Sequence, residues 1–79
     1  MTDSTTTRLA EADETMAHVK QAVAELSPKQ KQVFILRYYQ DLALREIGEV
    51  MGLQIGTIKS HLFNALRNLR QLLADYVQI

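Results

Sequence analysis

Near the C-terminal end of the chain, "GTIKSHLFNALRNLR" (residues 56–70) places Lys59, Ser60, Asn64, Arg67 and Gln71 on one side of an amphipathic helix, with Phe63 in their midst. At about 100° per residue, Ile58, Leu62, Ala65, Leu66 and Leu69 fall on the opposite stripe, which Leu72 and Leu73 extend. Two cations, a hydroxyl and two amides suit contact with a polyanion and with hydrogen-bonding edges. At the start of the helix, the backbone N–H groups of Gly56 and Thr57 have no intrahelical acceptor and can bind phosphate. Gly56 costs helix stability relative to Ala, so it is expected to admit a close approach, by a DNA strand or by the preceding helix. Phe63 is the residue out of place. On a groove-facing side its ring can touch a thymine methyl or ride against a sugar. Otherwise it packs under the N-terminal helix or is an exposed apolar residue of the ordinary kind.

Such a helix must be positioned by others, and the chain is long enough for one small domain: 79 residues. It has no cysteine, so neither a disulfide framework nor a cysteine zinc site is expected, in keeping with a cytoplasmic protein. No run of residues is long and apolar enough to span a bilayer, and the polar, acidic N-terminus does not read as a signal peptide. The net charge of zero conceals an asymmetry. Residues 1–26 carry −3, whereas residues 27–70 carry +4 from seven Lys and Arg against Asp41, Glu46 and Glu49. A basic body behind an acidic arm fits a polyanion partner.

The spacing predicts an all-α domain of four helices with a C-terminal helix-turn-helix at about 43–64 and no winged element. Residues 1–7 are rich in Thr and Ser and are expected to be disordered, with the domain occupying 8–79. From Arg8 to Leu26, Leu9, Ala12, Met16, Val19, Val23 and Leu26 share one helical face, and His18 is expected to face solvent. Ser27-Pro28 reads as N-cap and first helical residue of a second helix that runs to about Gln40. Its Val33, Phe34, Ile35, Leu36, Tyr38 and Tyr39 nearly encircle it, which predicts the most buried helix, with both tyrosines in core or pocket. Lys29, Gln30, Arg37 and Gln40 form its polar sector, and Lys29 and Lys31 are expected to be solvated. A short third helix from about Leu44 to Met51 turns Leu44, Ile47, Val50 and Met51 inward. Gly52 ends it, and the last helix runs from about Ile55 to Tyr76.

A short helix, a tight glycine-containing turn and a second helix with a basic face make a helix-turn-helix, whose second helix fits the DNA major groove. The stretch "LSPKQKQVFILRYYQDLALREIGEVMGLQIGTIKSHLFNALRNLR" resembles region 4 of bacterial sigma factors, most closely the extracytoplasmic-function (ECF) group, over about residues 23–72. The resemblance rests on the Leu-Ser-Pro opening, "VFILRYY", "REIGEVMGL", "GTIKSHLFNALRNLR" and their spacing. It implies binding to the minus-35 promoter element and docking on the flap of the RNA polymerase β subunit, with an anti-sigma factor as a further partner. It also implies that Lys59, Ser60, Phe63 and Asn64 face DNA and that Arg37 contacts phosphate. Arg67 continues this face by one turn, as a phosphate contact or a solvated charge. The chain departs from the family at His61 and Asn64, where Arg is common, and at Ala43 and Gln54, where Ser or Thr is common before each helix. Neither of the latter is a good N-cap. His61 lies toward the helix flank and suggests no metal site.

Two other readings remain open. A LuxR-type helix-turn-helix shares "GTIKSHL", but the continuation "ALRNLRQLLADYVQI" suits a sigma factor better. Alternatively, the chain is a protein-interaction module whose chief partner is an anti-sigma factor. ECF sigma factors also carry a region 2, which implies either the C-terminal domain of a longer protein, its first residues belonging to the interdomain linker, or a free-standing protein. No catalytic constellation, glycine-rich phosphate loop or cofactor motif is present, so no enzymatic activity, cofactor or metal is expected.

Overall fold

The computed structural model describes residues 15–74, and among these all regular structure is helical. Helix α1 is described over residues 15–24. Helix α2 spans Pro28–Phe34 and continues into a π-helical turn, Ile35–Tyr39. Helix α3 spans Leu44–Met51 and α4 spans Ile55–Leu72. The expected disordered segment 1–7, Arg8, Leu9, Ala12 and Tyr76 lie outside the described residues, but α4 ends at Leu72, short of the expected end near Tyr76, with Leu73 at its C-cap.

Local chemistry accounts for most of these boundaries. Ser27 is extended and Pro28 opens α2, with the Lys31 N–H donating to the Ser27 carbonyl at 2.8 Å. The Ser27 hydroxyl makes no cap bond, so its contribution is backbone shape alone. Ala43 cannot cap α3 with a side chain, but half of a capping box forms: its N–H donates to Glu46 Oε1 at 2.8 Å. Gly52 adopts the left-handed conformation (φ 69°) that closes α3, and the Leu53 N–H returns to the Gly48 carbonyl at 2.9 Å. Gln54 makes no side-chain cap.

Two apolar clusters hold the helices together. The first joins α2, α3 and the start of α4 through Val33, Ile47 and Ile58, each fully buried, ringed by Leu36, Leu42, Leu44, Met51, Leu53 and Leu62. The second joins α1, α2 and the far half of α4 through Ala22, Val23, Leu26, Phe34, Ala65 and Leu69, with Val19, Ile35 and Leu73 packed on it. Asn68 Nδ2 also donates to Gln30 Oε1 at 2.9 Å and ties α4 to α2.

The burial pattern corrects several expectations. Val50 is 61% exposed, because an eight-residue helix offers the core one narrow sector and Ile47 fills it. Met16 on α1 and Leu66 and Leu72 on α4 are also exposed, although their spacing puts them on apolar faces. The second helix is not buried all round: Tyr38 and Tyr39 are exposed rather than in the core. The π-turn is the cause. The Gln40 N–H reaches back five residues to the Ile35 carbonyl at 3.1 Å, and the extra residue shifts the phase of the side chains that follow. Both tyrosine rings still gather around Phe34, at centroid distances of 4.9 and 6.2 Å. His18 and Lys31 are half-buried rather than fully solvated.

Candidate nucleic-acid interface

The helix-turn-helix comprises α3, the turn 52–54 and the first half of α4. Gly48 sets how closely they approach. A Cβ there would lie 2.7 Å from the Leu53 carbonyl oxygen, so only glycine lets the turn close against α3. Behind that turn Ile58 seals against Ile47 and Val33, which fixes the rotation of α4 about its own axis. With Ile58 pointing inward, residues half a turn away must point out.

They do. Gly56, Thr57, Lys59, Ser60 and Arg67 are exposed, Phe63 is 67% exposed, and Asn64 is half-buried. Gly56, Ser60, Phe63 and Arg67 lie on one stripe, with Lys59 on one edge and Asn64 and Thr57 on the other. At 1.5 Å per residue the stripe runs about 16 Å along the helix. Phe63 therefore does not pack under another helix. A Cβ at Gly56 would meet nothing within 4 Å, so the preceding helix does not require this glycine either. At the head of the stripe the Ile58 N–H donates to the Gln54 carbonyl at 3.0 Å, while the N–H groups of Gly56 and Thr57 precede the first intrahelical bonds.

Arg37 sits apart from the stripe, on the π-turn, and is half-buried. Its Nη1 donates to the Leu42 carbonyl at 2.9 Å. That bond crosses the connection into α3, where Asp41 holds a positive φ of 58° and the Leu42 N–H donates to the Leu36 carbonyl at 3.0 Å. A guanidinium has five N–H donors, so others stay available to a phosphate. His61 is half-buried on the flank of α4. Arg45, which sequence reasoning did not single out, is an exposed cation on α3.

Sequence reasoning also passed over Gly48 and Glu46, and both had a signal. A glycine inside the periodic pattern of "REIGEVMGL" marks close backbone approach, and a Glu three residues after the cap position marks a capping box. No such signal announced the Arg37–Leu42 bond, which depends on the π-turn.

Comparison with known proteins places this geometry. The family described as sigma-70, region 4, matches residues 22–71. The chain is 33% identical over 57 residues to the ECF RNA polymerase sigma factor SigW of Bacillus subtilis, covering 72% of this chain and 30% of SigW. It is 41% identical over 54 residues to the ECF RNA polymerase sigma factor BldN of Streptomyces coelicolor, covering 68% of this chain and 20% of BldN. Among solved structures, a chain of the RsbN–BldN complex superposes with a TM-score of 0.72 at 37% identity, over 82% of this chain and 47% of that one. The matched segment thus spans less than a third of the length of these curated relatives. With residues 22–71 matched and the four-helix arrangement shared, the chain belongs to the sigma-70 region 4 family.

Proposed function

We propose that this chain is the region 4 domain of an RNA polymerase sigma factor and binds the minus-35 element of promoter DNA through α3 and α4. The observation that carries the reading is the exposed Gly56–Ser60–Phe63–Arg67 stripe, set on the second helix of a helix-turn-helix whose rotation is fixed by the fully buried Ile58. In this reading α4 lies in the major groove. Lys59, Arg67 and the N–H groups of Gly56 and Thr57 meet phosphates, and Ser60, Phe63 and Asn64 face base edges. Arg37 offers its remaining donors to the backbone from the π-turn, and α3 crosses the strand beside it with Arg45.

The wider assembly belongs to the same proposal. Docking on the β-subunit flap of core RNA polymerase would use apolar surface off the groove stripe. Tyr38, Tyr39, Leu66 and Leu72 supply such surface. An anti-sigma factor is proposed as a second protein partner, supported by the likeness to a chain of the solved RsbN–BldN complex. The role is binding rather than catalysis, in the cytoplasm. No described helix is long and apolar enough to cross a membrane.

The test is a titration of the full chain against promoter-like duplexes at several salt concentrations. With few basic contacts, binding should fall toward the range of roughly 10⁻⁴–10⁻⁶ M and weaken steadily as salt displaces the phosphate contacts. Absence of binding to any such duplex at low salt would overturn the reading.

A further inference from the structure

We propose that Asn64 is a specificity-determining residue that reads an adenine in the major groove, an inference that rests on the DNA-binding reading above. Two asparagines, Asn64 and Asn68, lie one helical turn apart on α4. The Asn68 amide is committed within the protein, its Nδ2 donating to Gln30 Oε1 at 2.9 Å. The Asn64 amide makes no hydrogen bond to any other described residue. It stands at the edge of the Ser60–Phe63–Arg67 stripe and is half-buried. Partial burial restricts the rotamers of its short stem, so the amide meets a ligand with less freedom to lose.

The chemistry of the uncommitted amide selects its partner. A carboxamide presents an acceptor and donors side by side. In the major groove, adenine offers the complementary pair, the N7 acceptor beside the N6 amino donor. Guanine offers two acceptors, N7 and O6, which suit Arg or Lys instead. Of Lys59, Ser60, Phe63, Asn64 and Arg67, only Asn64 carries this two-way complementarity. A hydroxyl serves either donor or acceptor, a phenyl ring serves neither, and the cations accept nothing. The amide therefore supplies a discrimination that the other residues of the stripe cannot.

The experiment uses the full chain and duplexes recovered by selection from a random pool. Fluorescence anisotropy would compare wild type, Asn64→Ala and Asn64→Arg, with each base pair of the site varied in turn. The wild type should show one adenine whose replacement weakens binding by roughly tenfold, and 7-deazaadenine there, which lacks the N7 acceptor, should weaken it too. Asn64→Ala should lose discrimination at that pair alone, and Asn64→Arg should shift the preference there to guanine. The 7-deazaadenine arm needs no variant and so does not depend on how any substitution folds. If Asn64→Ala keeps the wild-type preference at every position, the assignment to Asn64 is overturned while DNA binding stands. If the wild type binds no duplex at all, the DNA-binding reading falls and this inference with it.

Discussion

The two ends of α4 are built differently. Its first half is clamped between α2 and α3 by Val33, Ile47 and Ile58, none of which shows any surface to solvent. Its second half meets α1 and α2 through a cluster closed by small side chains, Ala22 and Ala65, and leaves Leu66 and Leu72 exposed on its flanks. A groove-reading helix needs a fixed rotation, because an error in phase removes side chains from base edges. The tight cluster supplies that rotation where the stripe lies. Apolar surface remains at the other end, where a protein partner can cover it.

The largest effect should come from breaking the tight cluster. Ile58→Ala should cost about 2–5 kcal/mol, since a buried aliphatic side chain is removed where fixed neighbours cannot collapse into the space. Leu69→Ala, in the looser cluster, should fall at the lower end of that range, about 2 kcal/mol, because its surroundings can relax. Urea unfolding of the two variants sharpens the contrast. Equal losses would show that the clusters are equally rigid.

Next in size is a pair of glycines. Gly48→Ala forces a Cβ to within 2.7 Å of the Leu53 carbonyl oxygen, a backbone atom that cannot swing aside, and should cost about 1–3 kcal/mol by overpacking. Gly56→Ala adds a methyl group in open space and should stabilise the helix by about 0.4–1 kcal/mol. Thermal melts separate these opposite signs. If Gly56→Ala is more stable yet binds DNA less well, the glycine serves the approach of a strand.

Arg37→Ala should also be destabilising, by about 1.5–3 kcal/mol, because the Leu42 carbonyl loses a charged donor beside the positive-φ turn at Asp41. On DNA it should weaken all sequences about equally and reduce the salt slope by about one unit. A change in preferred sequence would contradict a phosphate role for this side chain.

Much of this molecule is legible in its sequence where local chemistry decides the outcome. Ser27-Pro28, Gly52 and the periodic run from Ile58 to Leu69 mark helix boundaries and the buried side of α4, because caps, a left-handed turn and helical phase act over a few residues. What periodicity could not supply was coverage. Val50 and Leu66 have the spacing of core residues, but whether a neighbour lies over them depends on helix lengths and packing that no short window contains. The exposure of Tyr38 and Tyr39 was hidden for another reason: the π-turn changes the phase on which the pattern is read. Within the candidate site, the exposure of Lys59, Ser60, Phe63 and Arg67 followed from phase alone. The inward bond of Arg37 did not, since its acceptor is a carbonyl beyond the turn.

One side of α4 holds the domain together and the other is the proposed promoter-reading side, and Phe63 tests this division most directly. A thermal melt and a DNA titration of Phe63→Ala, run beside Ile58→Ala, compare two large apolar residues separated by helical phase. With Phe63 67% exposed, its removal should change stability by no more than about 0.5 kcal/mol. It should nevertheless weaken binding and relax discrimination at one or two base pairs where a thymine methyl is touched. Phe63→Ala melting as early as Ile58→Ala, or binding DNA as tightly and selectively as the wild type, would contradict the division of α4 into a structural side and a reading side.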